Sequence, residues 1–217
     1  MEKVKNNKVA VIISYLLLFV PLILGAIFYN KMPDQLPTHF GPSGAADSYS
    51  SKLVAVIGFP LLFFVVQTVV VFVTAADPKH KNINDSVYSL ILFLCPAISL
   101  FFTFTVINYG LGNEINVTKY ITLFLSLVFI VIGNYLPKSR RNYTLGIRVP
   151  WALNSDDNWN ATHRLGGVVF IIAGVLGIIV SLFVNEGLVY YFIGVLALCI
   201  IPTIYSYVYY VKYEKDK

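Results

Sequence analysis

The chain carries three histidines, His39, His80 and His163, and two cysteines, Cys95 and Cys199. Neither set has the spacing that chemistry needs. Two single cysteines without a Cys-x-x-Cys pair suggest neither a metal site nor a redox couple. They read as small apolar residues. No Gly-x-Ser-x-Gly, His-Glu-x-x-His or phosphate-binding glycine loop is present. A membrane enzyme using His163 with Asp156 or Asp157 has no positive support, so no catalytic residue, metal or cofactor is assigned. The suggestive residues lie in two polar segments. One is Asn30–Lys52, with Thr38, His39, Phe40 and Asp47. The other is Pro137–Arg164, with Arg148, Trp151, Trp159, His163 and Arg164.

Around these segments the chain is almost entirely apolar. It is 57% hydrophobic and 12% charged, with a mean hydropathy of +0.72. A soluble domain carries roughly 25% charged residues. About 20 apolar residues at about 1.5 Å each span a bilayer core. Six segments approach that length: Val9–Tyr29, Leu53–Ala76, Ser86–Asn108, Tyr120–Leu136, Leu165–Asn185 and Gly187–Val211. The apolar run of the first is too long for a typical signal peptide, and no clear cleavage site follows it. The last two are joined at Asn185-Glu186-Gly187, which predicts a tight helical hairpin.

The expected architecture is an all-α integral membrane protein, a six-helix transmembrane bundle. Residues 1–76 hold the first two helices and the loop 30–52. Residues 77–136 hold the third and fourth. Residues 137–217 hold the loop 137–164 and the last two. Lysine and arginine set orientation. With Lys31, Lys52 and Lys119 on one side, the other thirteen of the 16 basic residues fall on the opposite side. That side is the cytoplasm, with both termini, and the protein belongs in the plasma membrane. The pI near 9.1 reports this bias and contact with the lipid bilayer, and needs no direct nucleic-acid partner. His39 then lies outside and the other two histidines inside, so the three cannot share a zinc ion.

No Asp, Glu, Lys, Arg or His lies inside these six spans, which weighs against proton-coupled transport. Gln67 and Asn134 are the notable intramembrane amides, and interhelical hydrogen bonding is the commoner use of such residues. Pro21, Pro60, Pro96 and Pro202 predict kinks. Gly167, Ala173, Gly174 and Gly177 form a small-residue stripe that predicts close helix contact.

In the outer loop, Pro33, Pro37 and Pro42 forbid a regular helix, and Gly41 and Gly44 allow turns, so a compact cap is expected. In the inner loop, Asn154 or Ser155 can cap a helix whose first turn holds Asp156 and Asp157. That helix carries Trp159 and His163 on one face and leads toward the fifth span. Arg148 is expected beside Asp156 or Asp157. Simple interfacial anchoring is an equally good reading of Trp151, Trp159 and Arg164.

Two long motifs stand in register: Met32-Pro-Asp-Gln-Leu-Pro-Thr-His-Phe-Gly41 with Gly44 and Asp47-Ser-Tyr49, and Asn142…Gly146-Ile-Arg-Val-Pro-Trp151 followed by Trp159-x-x-Thr-His-Arg-x-Gly-Gly167. In both, the chain resembles the SdpI family of bacterial membrane proteins, over nearly its whole length. Val149 and Ala152 stand where members often have Thr. The resemblance implies immunity (bacteriocin-type resistance) to a secreted membrane-active peptide toxin. It also implies signal transduction through capture of a cytoplasmic transcriptional repressor at the membrane. Thr38, His39, Phe40 and Asp47 are then the toxin-sensing candidates. Arg148, Trp151, Trp159, His163 and Arg164 are the repressor-signalling candidates. The alternative from another class is a small-solute channel, permease or lipid-binding protein.

Overall fold

The computed structural model describes residues 2–41, 43–184 and 188–215. In chain order the elements are α1 (Glu2–Asn6), α2 (Lys8–Phe28), β1 (Gln35–Phe40), β2 (Ala46–Ser51), α3 (Phe59–Ala76), α4 (Asp85–Gly110), α5 (Val117–Tyr135), α6 (Pro150–Asn154), α7 (Asp156–Phe183) and α8 (Leu188–Tyr213). A π-helical turn, Val54–Gly58, leads into α3. Six helices are long and apolar enough to cross a membrane: α2, α3 with its π turn, α4, α5, α7 and α8. They are the six expected spans with adjusted ends. The fifth starts at Asp156 rather than Leu165, because the Ser155-capped helix and the span are one continuous α7. The Asn185-Glu186-Gly187 hairpin and Pro42 lie outside the described residues. The span-length helices expose many large apolar side chains: α3 alone exposes Leu61, Leu62, Val65, Val69 and Phe72. A water-soluble surface does not tolerate such a patch, whereas lipid does.

The chain divides into two compact units, Met1–Ala75 with Ser89–Thr118, and Ala76–Tyr88 with Lys119–Lys217.

In the first unit the all-α expectation needs one correction. The outer loop folds as an antiparallel hairpin of β1 and β2, with Leu36 opposite Ser50, Pro37 opposite Tyr49 and His39 opposite Ser48. Two register shifts interrupt it, between Pro37 and Phe40. The prolines do exclude helix, but Pro37 fits a short two-stranded ribbon, whose strands are both edges. Gly44, at φ +81°, makes the connecting turn. Its N–H donates to the Gly41 carbonyl, and the Gly41 N–H to that of Ala45. Leu36 and Met32 anchor the hairpin base in a core with Ala55, Val56, Val106 and Ile107. Deeper in the unit, Gln67 is fully buried and donates to Ser14 Oγ (2.9 Å) and the Leu92 carbonyl (3.2 Å), joining α2, α3 and α4. This is the interhelical role expected of it. Asn134 of α5, in the second unit, is instead exposed.

In the second unit the small-residue face of α7 packs as expected. A Cβ on Gly174 would lie 2.5 Å from the Ser126 carbonyl of α5. One on Gly177 would lie 2.1 Å from Ser126 Oγ and 2.3 Å from the Tyr191 ring of α8. Gly133 of α5 meets the Gly167 carbonyl in the same way, at 2.7 Å. Without these side chains the backbones approach closely, and dispersion replaces the hydrophobic drive that lipid does not supply. Cys95 and Cys199 are both free thiols.

Candidate functional site

The hairpin of the first unit gathers the outer candidates. His39 Nδ1 lies 2.5 Å from Asp47 Oδ1 across the two strands, and both side chains are exposed, at 68% and 51%. Thr38 Oγ1 approaches Ser50 Oγ at 3.5 Å. Phe40 meets Tyr109 edge to face, with ring centroids 5.9 Å apart. Tyr109, near the end of α4, was not a sequence candidate, because its alternation with the distant hairpin cannot be read locally. Its hydroxyl lies 3.1 Å from that of Tyr49. That hydrogen bond is the main cause of a raised Tyr49 pKa, with desolvation and the nearby Asp47 carboxylate adding to it. The result is an exposed patch bearing one acid–imidazole pair, two phenols and an aromatic edge. It can offer both donors and acceptors to a ligand arriving from water.

The inner segment of the second unit is an ordered platform built on four polar side chains. Asp77, just past α3, is buried (4% exposed). Its Oδ1 accepts from the Lys79 N–H (2.7 Å), and its Oδ2 from the Tyr143 N–H (2.9 Å) and the Thr144 hydroxyl (2.5 Å). Asn142 is fully buried, and its Oδ1 accepts from the Thr144 and Leu145 N–H groups while its Nδ2 donates to the Arg140 carbonyl. Asn82 and Asn84 donate to the carbonyls of Arg141 (2.6 Å) and Lys138 (2.9 Å). The loop backbone thus has its hydrogen bonds met by side chains where no helix or strand can meet them.

The second half of the motif locks onto α7. Ser155 is the N-cap, as expected, and accepts from the Asn158 N–H. Its hydroxyl donates to Glu214, just past the end of α8. Asn158 continues this layer, exchanging hydrogen bonds with the Ser206 carbonyl (3.0 Å) and hydroxyl (2.6 Å) of α8. Trp159 and His163 share a face, as expected, and their rings stack at 3.9 Å and 19°. Trp159 Nε1 donates to the Ser139 carbonyl (2.7 Å). The Ile147 N–H donates to His163 Nε2 (3.0 Å), so that nitrogen carries no proton. The proton sits on Nδ1, which donates to the Trp159 carbonyl (2.8 Å). The ring is therefore a neutral brace between the loop and α7. Gly146 makes room for it: at φ +115° a Cβ would fall 2.3 Å from His163 Nε2.

Two expectations are corrected here. Arg148 does not pair with Asp156 or Asp157; it is exposed and donates to the Tyr143 carbonyl (2.7 Å). Arg141 takes Asp156 instead, with Nε 2.6 Å from Oδ1, because its own bond to the Leu153 carbonyl (2.9 Å) holds it over the helix start. Trp159 and His163 are fully buried, so their side chains cannot meet a partner directly. The remaining inner candidates are accessible to different degrees. Arg148 and Arg164 are exposed, and Trp151 is half-buried, edge-on to Tyr207 at 5.2 Å. Among the described residues, no group of three His, Cys, Asp or Glu side chains could hold a metal ion. Sequence reasoning missed Asp77, Asn158 and Glu214, and named Asn142 only as the start of the second motif without a role. Only Asp77, an acid directly after an apolar span, carried any local signal.

A family model described as the SdpI/YfhL protein family matches residues 138–206, which covers the loop of this platform together with α7 and most of α8 but not Asp77, Asn82, Asn84 or Glu214. A second, described as a domain of unknown function (DUF1648), matches residues 16–64, which includes the hairpin. The chain is similar to the immunity protein SdpI of Bacillus subtilis (strain 168), at 24% identity over 210 residues, covering 93% of this chain and 96% of that relative. No solved structure matches. With its six span-length helices, the chain is a multi-pass bacterial membrane protein.

Proposed function

We propose that this chain, whose residues 138–206 match the SdpI/YfhL protein family, is a membrane immunity protein that gives resistance to a secreted membrane-active peptide toxin. The observation that carries the reading is the similarity to an immunity protein along almost the full length of both chains. In this reading six helices cross the membrane and both termini lie in the cytoplasm. The β1–β2 hairpin faces outward, where toxin arrives. Its His39–Asp47 pair and the Phe40 edge are the sensing surface, with Thr38 beside them. The platform faces the cytoplasm, where Arg148, Arg164 and the Trp151 edge are the surface for a repressor. Arginine and tryptophan are the usual anchors of such contacts. Trp159 and His163 act as positioning residues behind that surface.

The test is expression in a toxin-sensitive strain that lacks its own immunity gene. Survival rises with the intact protein and falls with Asp47→Ala at unchanged membrane abundance. Arg148→Ala spares survival and abolishes repressor recruitment. A correctly inserted protein that protects against no peptide of this class would defeat the immunity reading and move the permease or lipid-binding reading ahead.

A further inference from the structure

A groove of about 380 Å³ separates the first turns of α7 from the last turns of α8. Its walls include Asp157, Ala161, Arg164 and Leu165 of α7 and Tyr205 and Tyr209 of α8. None of these braces the platform. Asp157 and Arg164 line the same groove, are both exposed, and form no hydrogen bond or ion pair among the described residues. Asp156, by contrast, is already paired with Arg141. The groove therefore presents one free charge of each sign.

The two charges are ordered along the helix. Arg164 follows Asp157 by two turns, about 10 Å along the axis. Helical side chains lean toward the helix start, which carries the guanidinium back toward the carboxylate. The short Ala161 side chain lies between them. Beyond Arg164 the same stripe turns apolar, through Leu165 to the exposed Val168 and Ile172. On α8 the exposed Ile201 lies one turn before Tyr205. Read from the helix start into the membrane, the surface is acid, small residue, base with phenols, then hydrocarbon. That is the mirror of a lipid with an ammonium, a phosphate and acyl chains.

We propose that this groove binds a zwitterionic aminophospholipid. Arg164 and the two tyrosine hydroxyls hold the phosphate, and Asp157 holds the ammonium. One acyl chain lies along Leu165, Val168 and Ile172. A guanidinium with hydroxyl donors is a strong phosphate partner, and tyrosine suits the boundary where one end is wet. A lipid with an anionic headgroup meets the Asp157 carboxylate without a compensating cation, so the site discriminates by charge. Free phosphate gains nothing from the apolar stripe. This inference requires only that the chain is a membrane protein and does not rest on the immunity reading; with lipid bound, Arg164 is withdrawn from the repressor surface, which Arg148 and the Trp151 edge then form.

The experiment uses the purified full chain in detergent, with phosphatidylethanolamine or phosphatidylglycerol of identical acyl chains. Retained lipid is counted by native mass spectrometry. The protein retains phosphatidylethanolamine about fivefold better than phosphatidylglycerol, the scale of one charge-assisted contact. Arg164→Gln loses retention of both lipids. Asp157→Asn keeps retention and loses the preference. Neither side chain has a hydrogen-bond or ion-pair partner among the described residues, so both variants fold, and Asp157→Asn gives up only the small stabilisation of an acid in the first turn. If one did misfold, Tyr205→Phe with Tyr209→Phe would carry the test, lowering retention about threefold through two lost hydroxyls. Equal retention of the two lipids by the unaltered protein would overturn the proposal, as would full retention by Arg164→Gln. Displacement by water-soluble phosphorylethanolamine would assign the groove to a soluble ligand and overturn it too.

Discussion

Gly146→Ala tests the central joint of the platform. Gly146 sits at φ +115°, where an L side chain is strained by about 1–2 kcal/mol. The new Cβ would also stand 2.3 Å from His163 Nε2. The ring is stacked on Trp159 and fully buried, so it cannot swing aside at low cost. Its displacement strips the Ile147 N–H of its acceptor, and a lost buried hydrogen bond of this kind costs about 1–3 kcal/mol. The sum is about 2–5 kcal/mol. At about 2–4 °C per kcal/mol for a chain of this size, the melting temperature in detergent falls by about 4–20 °C. Gly112 supplies the control. It has φ +77° but nothing within 4 Å of its Cβ position, so Gly112→Ala carries strain alone, about 1–2 kcal/mol. In a His163→Ala background the clash with the imidazole is gone and the Trp159 ring remains at 3.1 Å, so Gly146→Ala should cost its backbone strain and little more. A melting temperature for Gly146→Ala no lower than that of Gly112→Ala would refute the brace.

Asp77→Ala leaves two backbone N–H groups and a hydroxyl without their acceptor. It should lower stability by about 2–4 kcal/mol and open the Lys138–Arg141 stretch to trypsin; native-like resistance there would count against the clamp. Gly177→Val places branches where Ser126 and Tyr191 already lie, so α7 cannot keep its approach to α5 and α8. The expected loss is about 2 kcal/mol or more, whereas Gly194→Ala, with open space around it, should be nearly silent. For topology, a cysteine at position 39 should react with an impermeant reagent in intact cells and one at 140 should not; the reverse pattern would invert the assignment.

The six helices were legible because a bilayer asks one simple thing of a span, length without charge, and composition answers it. The Ser155 cap and the Trp159–His163 face were legible because capping and i, i+4 spacing act within one turn. The hairpin was not. Its strands are short, its prolines argue only against helix, and its anchor is a core drawn from Val56 and Val106, far away in sequence. The Arg148 pairing failed for a related reason. A guanidinium near a carboxylate in sequence is a weak constraint, and Arg141 reaches Asp156 first because the Leu153 carbonyl orients it. Asp77 and Glu214 act on the platform from far along the chain, and no local pattern announces that.

Burial also changes what mutations in the inner motif can mean. Trp159 holds the Ser139 carbonyl and His163 holds the Ile147 N–H, so each fixes one end of the loop that carries Arg148. Replacing either aromatic reshapes that surface without touching a partner. A signalling defect in Trp159→Ala would therefore report the shape of the platform. The same defect in Arg148→Ala has a different meaning. That side chain is exposed and makes one hydrogen bond to a neighbouring carbonyl, so its loss leaves the clamp of Asp77, Asn82 and Asn142 in place. Direct contact is then the simplest cause. The exposed arginine, rather than the buried tryptophan and histidine that dominate the motif, is the position at which a partner can be located.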